Sequence, residues 1–527
     1  MIALNCGRIQ DSPLQVRCMP TLTIDDKQIT VEPGTLVIEA ARKLGVEIPH
    51  FCYHPKLTVA GNCRMCLVEV EKFPKPQISC NLVATEGMVV KTQSENAKKW
   101  RKNVLEFILV NHPIDCPVCD QAGECKLQNY YLSESVKGSQ FEEEKVHKPK
   151  RVPLGPQVVL DDERCIMCSR CVRFCDEITK TSELGFIERG DHVELRPFPG
   201  KQLNNPYSMN TVDICPVGAL TSEDFRFKKR VWFLKSAASI CTGCSRACNI
   251  QMQSHEGKVY RYLPRQNDSV NECWLCDAGR LSYKEINAEN RLLHVEKSNV
   301  DLFEMISSDQ AIQGIVQALQ KLGTENLMAM GNAQSSNENN YALKKFALEL
   351  NSKASFFFSK KEVPHAGEDD FLIKADKNPN TFGVDQLGFK SPLNPPLIKG
   401  GRGDFAPNIV FILGELSESD RKKIFSQEPT LTIVLASHRN ETTERADFIL
   451  PTTTFAEEEG SFTNFEGRVQ KFSPGLKPRG QMRPAWSWLK EIAQGLEKKW
   501  EVNKPEDFLK EGFGLSYSDL GSFGKII

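Results

Sequence analysis

Cysteine constrains this chain more than any other residue: there are 19, all at or before Cys276, and none in the remainder of the 527 residues. Closely spaced thiols become either disulfides or metal ligands, and the redox compartment decides which. Ile2-Ala3-Leu4 is a short apolar patch with no basic segment before it and no long apolar core behind it, unlike a secretory signal. A reducing compartment is therefore expected, where such cysteines hold metal more often than they pair. The charge is balanced, 67 Lys+Arg against 68 Asp+Glu, which argues against a dedicated nucleic-acid binder. No run approaches the ~18 consecutive apolar residues of a membrane span, so a soluble or peripherally attached chain is expected.

At about 150 residues per domain, the length alone predicts three or four domains. Residues 1–18, with Cys6 and Cys18, read as a leader, disordered or a non-native start. From Met19 the pattern is a hairpin around Asp25-Asp26-Lys27, the Pro33-Gly34 turn, and a helix over residues 36–44 that Thr35 caps and Gly45 ends. Strand, strand, helix and cysteine loop is the order of a β-grasp ferredoxin. Residues 97–111 place Trp100, Val104, Leu105, Ile108 and Leu109 at helical spacing. A charged linker at 132–151 leads to compact cysteine domains at 152–228 and 233–290. Beyond residue 300 the pattern is alternating α/β, with buried strands expected at 326–330, 408–413 and 430–435 and a helix from Asn337 to Leu350. The Pro/Gly-rich stretch 391–407 reads as a surface insertion.

Four groups account for most of the thiols. Cys52, Cys63, Cys66 and Cys80 follow C-x10-C-x2-C-x13-C. A zinc ribbon pairs CxxC with CxxC, whereas one CxxC with two outlying cysteines is closer to a two-iron loop. His112, Cys116, Cys119 and Cys125 form H-x3-C-x2-C-x5-C. A lone His is more often a hydrogen-bonded or surface residue, but this one sits beside three thiols that lack a fourth partner nearby. Spacing leaves zinc and a cluster both open there. Cys165, Cys168 and Cys171 form the C-x2-C-x2-C run specific to cubane [4Fe-4S] clusters. Its fourth ligand is contested; Cys215, followed by Pro216, is preferred over Cys175, which reads as a small buried hydrophobe. Cys241, Cys244 and Cys248 with Cys276 form a fourth group, in which Cys273 is the rival to Cys276.

With these motifs the chain resembles the large iron–sulfur subunit of the peripheral arm of NADH:quinone oxidoreductase (respiratory complex I). Gly61 through Glu69 (GNCRMCLVE) and His112 through Cys125 (HPIDCPVCDQAGEC) resemble that family's two-iron loop and its His(Cys)3 loop. Cys165 to Cys171 with Cys215-Pro216-Val217-Gly218-Ala219-Leu220 resembles its ferredoxin-type site. Cys241 through Cys276 is similar to a cubane that some bacterial members keep. The resemblance supports Cys215 over Cys175 and Cys276 over Cys273. Asn337-Glu338-Asn339-Asn340-Tyr341 and Ala446 through Gln470 resemble the molybdopterin-oxidoreductase superfamily. Active members carry a Lys just past the fourth cluster cysteine, where this chain has Asp277-Ala278-Gly279-Arg280, and no cysteine remains to hold a metal there. The resemblance thus implies a shortened domain with no molybdopterin.

The fold class expected is α+β and α/β multidomain. It comprises a β-grasp [2Fe-2S] domain at 19–96, a helical His(Cys)3 module at 97–136 and a [4Fe-4S] ferredoxin-like module at 152–228. A Mo/W bis-MGD-type [4Fe-4S] module at 233–290 and a degenerate molybdopterin-oxidoreductase-like α/β domain at 291–527 follow. By resemblance the cofactors are one [2Fe-2S] and three [4Fe-4S] clusters. The partners are the flavin-bearing NADH-oxidising subunit and the quinone-side iron–sulfur subunits, with no nucleic acid. The place is the cytoplasmic face of the inner membrane, peripheral. Electrons would pass from the two-iron cluster to the ferredoxin-type cubane and then to the His-ligated one. Two other readings compete: an iron–sulfur subunit of a soluble NAD-linked hydrogenase or formate dehydrogenase, and a zinc-clustered non-enzymatic scaffold.

Overall fold

A computed structural model describes residues 19–134, 141–190, 192–299, 302–390 and 407–527. The expected leader at 1–18 and nearly all of the insertion at 391–407 lie outside these residues, as does part of the linker. The chain divides between Trp232 and Phe233 into two compact units, so the expected modules are gathered three to the first unit and two to the second.

The first unit begins with a five-stranded sheet, in spatial order Lys27–Thr30, Thr21–Ile24, Val89–Lys91, Leu67–Val70 and Gln77–Ile78. Asp25 and Asp26 both take positive φ, 45° and 65°, so a two-residue turn joins the first two strands in antiparallel register. The helix Val37–Lys43 lays Val37, Ile38, Ala40 and Ala41 on the sheet residues Leu22, Ile24, Val68 and Val90. Thr35 does not cap it. Leu36 occupies the cap position without a side-chain bond, and the Thr35 hydroxyl donates instead to Glu32 O at 2.6 Å, closing the Pro33-Gly34 turn. Turn closure competes for the same hydroxyl, and it wins here.

The second expected helix spans Glu95–Leu109, with Ser94 accepting from Ala97 N. Its inner face carries Arg101 as well as Ala97 and Leu105; Arg101 is tolerated because it pairs with Glu134 at 2.9 Å and donates to Thr92 O at 2.7 Å. A further helix covers Lys126–Ser133. The rest of the unit is built on small sheets: Val152–Pro153, Val158–Leu160 and Leu220–Ser222 form one, and the hairpin Leu184–Ile187 with Glu194–Pro197 another.

The second unit opens with an antiparallel meander, Lys235–Ile240, Asn249–His255 and Lys258–Pro264. A seven-stranded sheet follows, in spatial order Leu302–Ile306, Val295–Asn299, Phe448–Pro451, Leu431–Ala436, Ile409–Leu413, Leu327–Asn332 and Ser355–Ser359. Its three central strands are the expected apolar runs. They pair in parallel and are buried at every position, which explains runs without alternation. Helices Ser308–Leu322, Asn337–Leu350 and Ala485–Gly495 pack on it through Ile315, Leu343, Phe346, Trp488 and Ile492. No helix among the described residues is long and apolar enough to cross a membrane.

Candidate metal centres

Cys52, Cys63, Cys66 and Cys80 come together beside the five-stranded sheet. Cys80 is delivered by a one-turn helix, Ser79–Asn81, whose Ser79 hydroxyl donates to Cys66 O at 2.9 Å. Gly61 and Arg64 take positive φ, 62° and 58°, bending the loop around Cys63. The Cys52 amide donates to Cys63 Sγ at 3.4 Å. Hydrogen bonds from Cys63 and Cys80 hold the Cys52 thiol well below the usual thiol range, and Cys80 does the same to Cys66. The four thiols thus lie in mutual contact, Cys63 and Cys80 beside Cys52 and Cys66 beside Cys80. Two thiolates to each of two irons is the demand of a [2Fe-2S] core.

His112, Cys116, Cys119 and Cys125 line one cavity of about 870 Å³. Burial pushes the His112 imidazole down to about 4, so it is neutral at physiological pH, the form that ligates metal. Its Nδ1 is buried and has no hydrogen-bond partner among the described residues. Burial likewise raises the Cys119 and Cys125 thiols. A bound cation would relieve both penalties, ionising the thiols and occupying the imidazole nitrogen. Gly218 closes the cavity wall; a Cβ there would collide with Cys119 Sγ. Its neighbour Pro216 accepts from Lys126 N at 3.1 Å, so the segment after Cys215 is also a wall of the His112 site.

Cys165, Cys168, Cys171 and Cys215 form the third set. Met167 and Ser169 take positive φ, 51° and 59°, which folds the run back on itself before the helix Arg170–Arg173 carries Cys171. Burial raises all four thiols, Cys168 to about 11, and Cys165, Cys168 and Cys171 each feel the charge of Cys215. Cys175 is fully buried, and the charges that most affect it are Glu183 and Asp176.

In the second unit, Cys241, Cys244 and Cys276 all bear on Cys248. The Cys241 amide donates to Cys248 O at 2.8 Å, closing the loop. Gly279 lies between two of the sulfurs: a Cβ there would stand 2.9 Å from Cys241 Sγ and 3.1 Å from Cys276 Sγ. Amides of Gly243 and Gly279 donate to Cys241 and Cys276 Sγ at 3.4 and 3.3 Å. Burial lifts Cys276 to about 11. Cys273 is partly exposed.

Among the described residues, no three or more His, Cys, Asp or Glu side chains close tightly enough to hold a single metal ion.

Sequence reasoning passed over the arginines that flank three of the sites. Arg164 faces Cys119 and holds Asp115, in the His112 loop, through Nε at 3.1 Å and Nη2 at 2.5 Å. Arg170 faces Cys168 and Cys215; Arg246 and Arg280 face Cys248 and Cys276. Buried positive charge offsets the negative charge that ligated thiolates bring. Their one sequence signal was position, within or next to the cysteine runs.

The two molybdopterin-like motifs also meet. Asn337 Nδ2 donates to Ser461 Oγ and Thr463 Oγ1 at 3.0 Å, and Asn339 Nδ2 to Glu458 Oε1 at 2.8 Å. Glu338 accepts from Ser461 N and Oγ, both at 2.8 Å, and from Tyr517 OH at 3.0 Å. These polar side chains satisfy one another inside the protein.

Known families match in the same order along the chain. A 2Fe-2S iron-sulfur cluster binding domain matches residues 18–95, and an NADH-ubiquinone oxidoreductase-G iron-sulfur binding region 101–139. The ferredoxin-like domain of NADH-quinone oxidoreductase subunit 3 matches 155–221. A molybdopterin oxidoreductase Fe4S4 domain matches 234–288, and a molybdopterin oxidoreductase domain 386–495. The NADH-quinone oxidoreductase G subunit of Rickettsia bellii is 42% identical over 332 residues, which are 63% of this chain and 48% of that protein. The protein of the same name from Streptomyces coelicolor is 42% identical over 67% of this chain and 42% of its own length. The mitochondrial NADH-ubiquinone oxidoreductase 78 kDa subunit of Neurospora crassa is 41% identical over 61% and 43%. This chain spans about half the length of the curated relatives it matches.

Proposed function

We propose, on the premise that this chain belongs to the family of the NADH-quinone oxidoreductase G subunit, that it relays single electrons from an NADH-oxidising flavoprotein toward quinone within complex I. Iron–sulfur clusters bound at the four sites would supply one-electron carriers whose potentials the surrounding protein sets. The chain's own work is to hold them. One [2Fe-2S] cluster belongs to Cys52, Cys63, Cys66 and Cys80. Three [4Fe-4S] clusters belong to His112 with Cys116, Cys119 and Cys125; to Cys165, Cys168, Cys171 and Cys215; and to Cys241, Cys244, Cys248 and Cys276.

The observation that carries this reading is the His112 site. A neutral, buried imidazole with an unpartnered nitrogen shares a cavity with three thiols, two of them raised by burial. Such a cavity is costly without a cation and is relieved by one. His112 in place of a fourth thiolate makes that cluster less negative and easier to reduce.

The division into modules at 19–96, 97–136, 152–228, 233–290 and 291–527 belongs to the same reading. So does a carboxyl-terminal domain without molybdopterin, supported by the way Asn337, Glu338 and Asn339 spend their hydrogen bonds on Glu458, Ser461, Thr463 and Tyr517. The partners are the flavoprotein and the quinone-side iron–sulfur subunits, at the cytoplasmic face of the inner membrane.

Iron and acid-labile sulfide analysis of the purified protein tests the proposal first. Iron with matching sulfide is expected; zinc without sulfide overturns it in favour of a scaffold. Electron paramagnetic resonance of the complex isolated from its membrane tests the rest. NADH should reduce the clusters, whereas reduction by hydrogen or formate would assign the chain to a soluble dehydrogenase instead.

A further inference from the structure

Two arginines, one within the C-x2-C-x2-C run and one just past it, reach out of the third site into the first. Arg170 is 4% exposed and stands between Cys168 and Cys171 in the chain. Its guanidinium donates to the carbonyl of Tyr53, next to Cys52, and through Nη1 to Ile214 O at 3.0 Å, next to Cys215. The thiols that bear on it are Cys168 and Cys215 of the third site and Cys52 of the first. Arg173, one turn later, donates from a single nitrogen, Nη2, to Cys52 O at 2.5 Å and to Cys168 O at 3.4 Å. Its Nη1 donates to Thr58 O. The same seam is closed by Asn62 Nδ2 on Met167 O at 3.2 Å and by Glu177, which accepts from Thr58 N at 2.8 Å.

Many buried arginines do no more than satisfy loop carbonyls. Two facts go beyond that here. A guanidinium does not lose its proton in a protein, so Arg170 is a fixed positive charge in a poorly screened place. And both arginines bond residues of two separate sites: one nitrogen of Arg173 joins the main chain of a ligand of the first site to that of a ligand of the third.

We infer that Arg170 and Arg173 are positioning residues shared by the first and third sites: together they set the reduction potential of both and fix the gap an electron crosses between them. The inference rests on the reading that both sites hold clusters. In the transfer, the first site loses one electron and the third gains it, with no proton or bond changed. Negative charge moves from one side of Arg170 to the other while the guanidinium stays in place. Because the charge faces both sites, removing it makes reduction harder at both.

The test uses the whole complex isolated from its membrane, carrying Arg170→Gln, Arg170→Lys or Arg173→Gln. Each is followed by a redox titration read by electron paramagnetic resonance, with iron and labile sulfide measured alongside. Arg170→Gln should lower the two-iron and the ferredoxin-type midpoints together, each by about tenfold in the reduction equilibrium, or about 59 mV for one electron. Arg170→Lys keeps the charge and should return most of that shift. Arg173→Gln should lower both midpoints by less and slow the oxidation of the first site by the third in freeze-quenched samples. Retained clusters with neither midpoint moved, or only one, overturn the inference. Should Arg170→Gln fail to assemble, Arg170→Lys and Arg173→Gln decide it by the same criterion. Absence of iron and sulfide from the unaltered complex would instead overturn the reading beneath it.

Discussion

The His112 site and the Glu338–Glu458 cluster both bury polar groups, and they satisfy them in opposite ways. Glu338 and Glu458 are fully enclosed, yet Ser461, Tyr517, Asn339 and Thr453 donate to them from four separate segments. The cavity around His112 leaves Nδ1 without a partner and Cys119 and Cys125 raised by burial. One region closes its hydrogen bonds within the chain; the other leaves them open, as the proposed cluster would require. A region of the first kind is stable by itself. On the proposed reading, a region of the second kind would fold with its metal.

Removing iron should break the comparison most visibly. In protein made under iron starvation, hydrogen exchange at 112–125 and 165–171 should quicken by a factor of about 100 or more. The strands Leu327–Asn332, Ile409–Leu413 and Leu431–Ala436, whose core is aliphatic and aromatic, should stay protected. Equal loss in both regions would show that the sheet also depends on metal.

Gly218→Ala comes next, because its Cβ meets Cys119 Sγ within a packed wall. Such overpacking costs about 1–3 kcal/mol, and here it should displace a ligand. The spectrum of the His-ligated cluster should be lost or altered while the two-iron spectrum persists. An unchanged spectrum would mean that the wall yields.

The acid pair sharpens the other side of the comparison. Burial raises Glu338 to about 7 and Glu458 to about 8, from an ordinary 4.5. Between about pH 4.5 and 8 the folded state therefore holds more protons than the unfolded one, and the second unit should lose stability as pH rises through that window. Glu458→Gln keeps a neutral side chain of the same shape. It should flatten the slope and stabilise the unit at pH 8 by on the order of 1–3 kcal/mol, read from denaturant midpoints.

The smallest effect concerns His112 itself. His112→Cys adds a negative ligand and should lower that cluster's midpoint, on the order of 100 mV, with iron content preserved. A midpoint that does not move contradicts ligation by His112.

Much of the fold was legible because local chemistry and burial agreed. Asp25-Asp26-Lys27 announced a hairpin, whose turn the structure confines to Asp25 and Asp26, and the apolar runs at 326–330, 408–413 and 430–435 are the central parallel strands, buried on both faces. Thr35 was misread because a hydroxyl has two local acceptor arrangements to serve, and sequence does not say which closes first. The helical spacing of Trp100, Val104 and Leu105 says nothing of Arg101, whose burial rests on its pairing with Glu134, 33 residues away in the chain.

The candidate ligands were a property of the sequence alone. Cysteine spacing is covalent information, so the C-x2-C-x2-C run and the lone His before three thiols could be marked without coordinates, although spacing left zinc and a cluster both open at His112. The tertiary structure decided what lies between the sites. Arg170, Arg173, Asn62 and Gly218 act across loops far apart in the chain, where long-range packing, not local spacing, brings a charge, a carbonyl or a missing Cβ into contact.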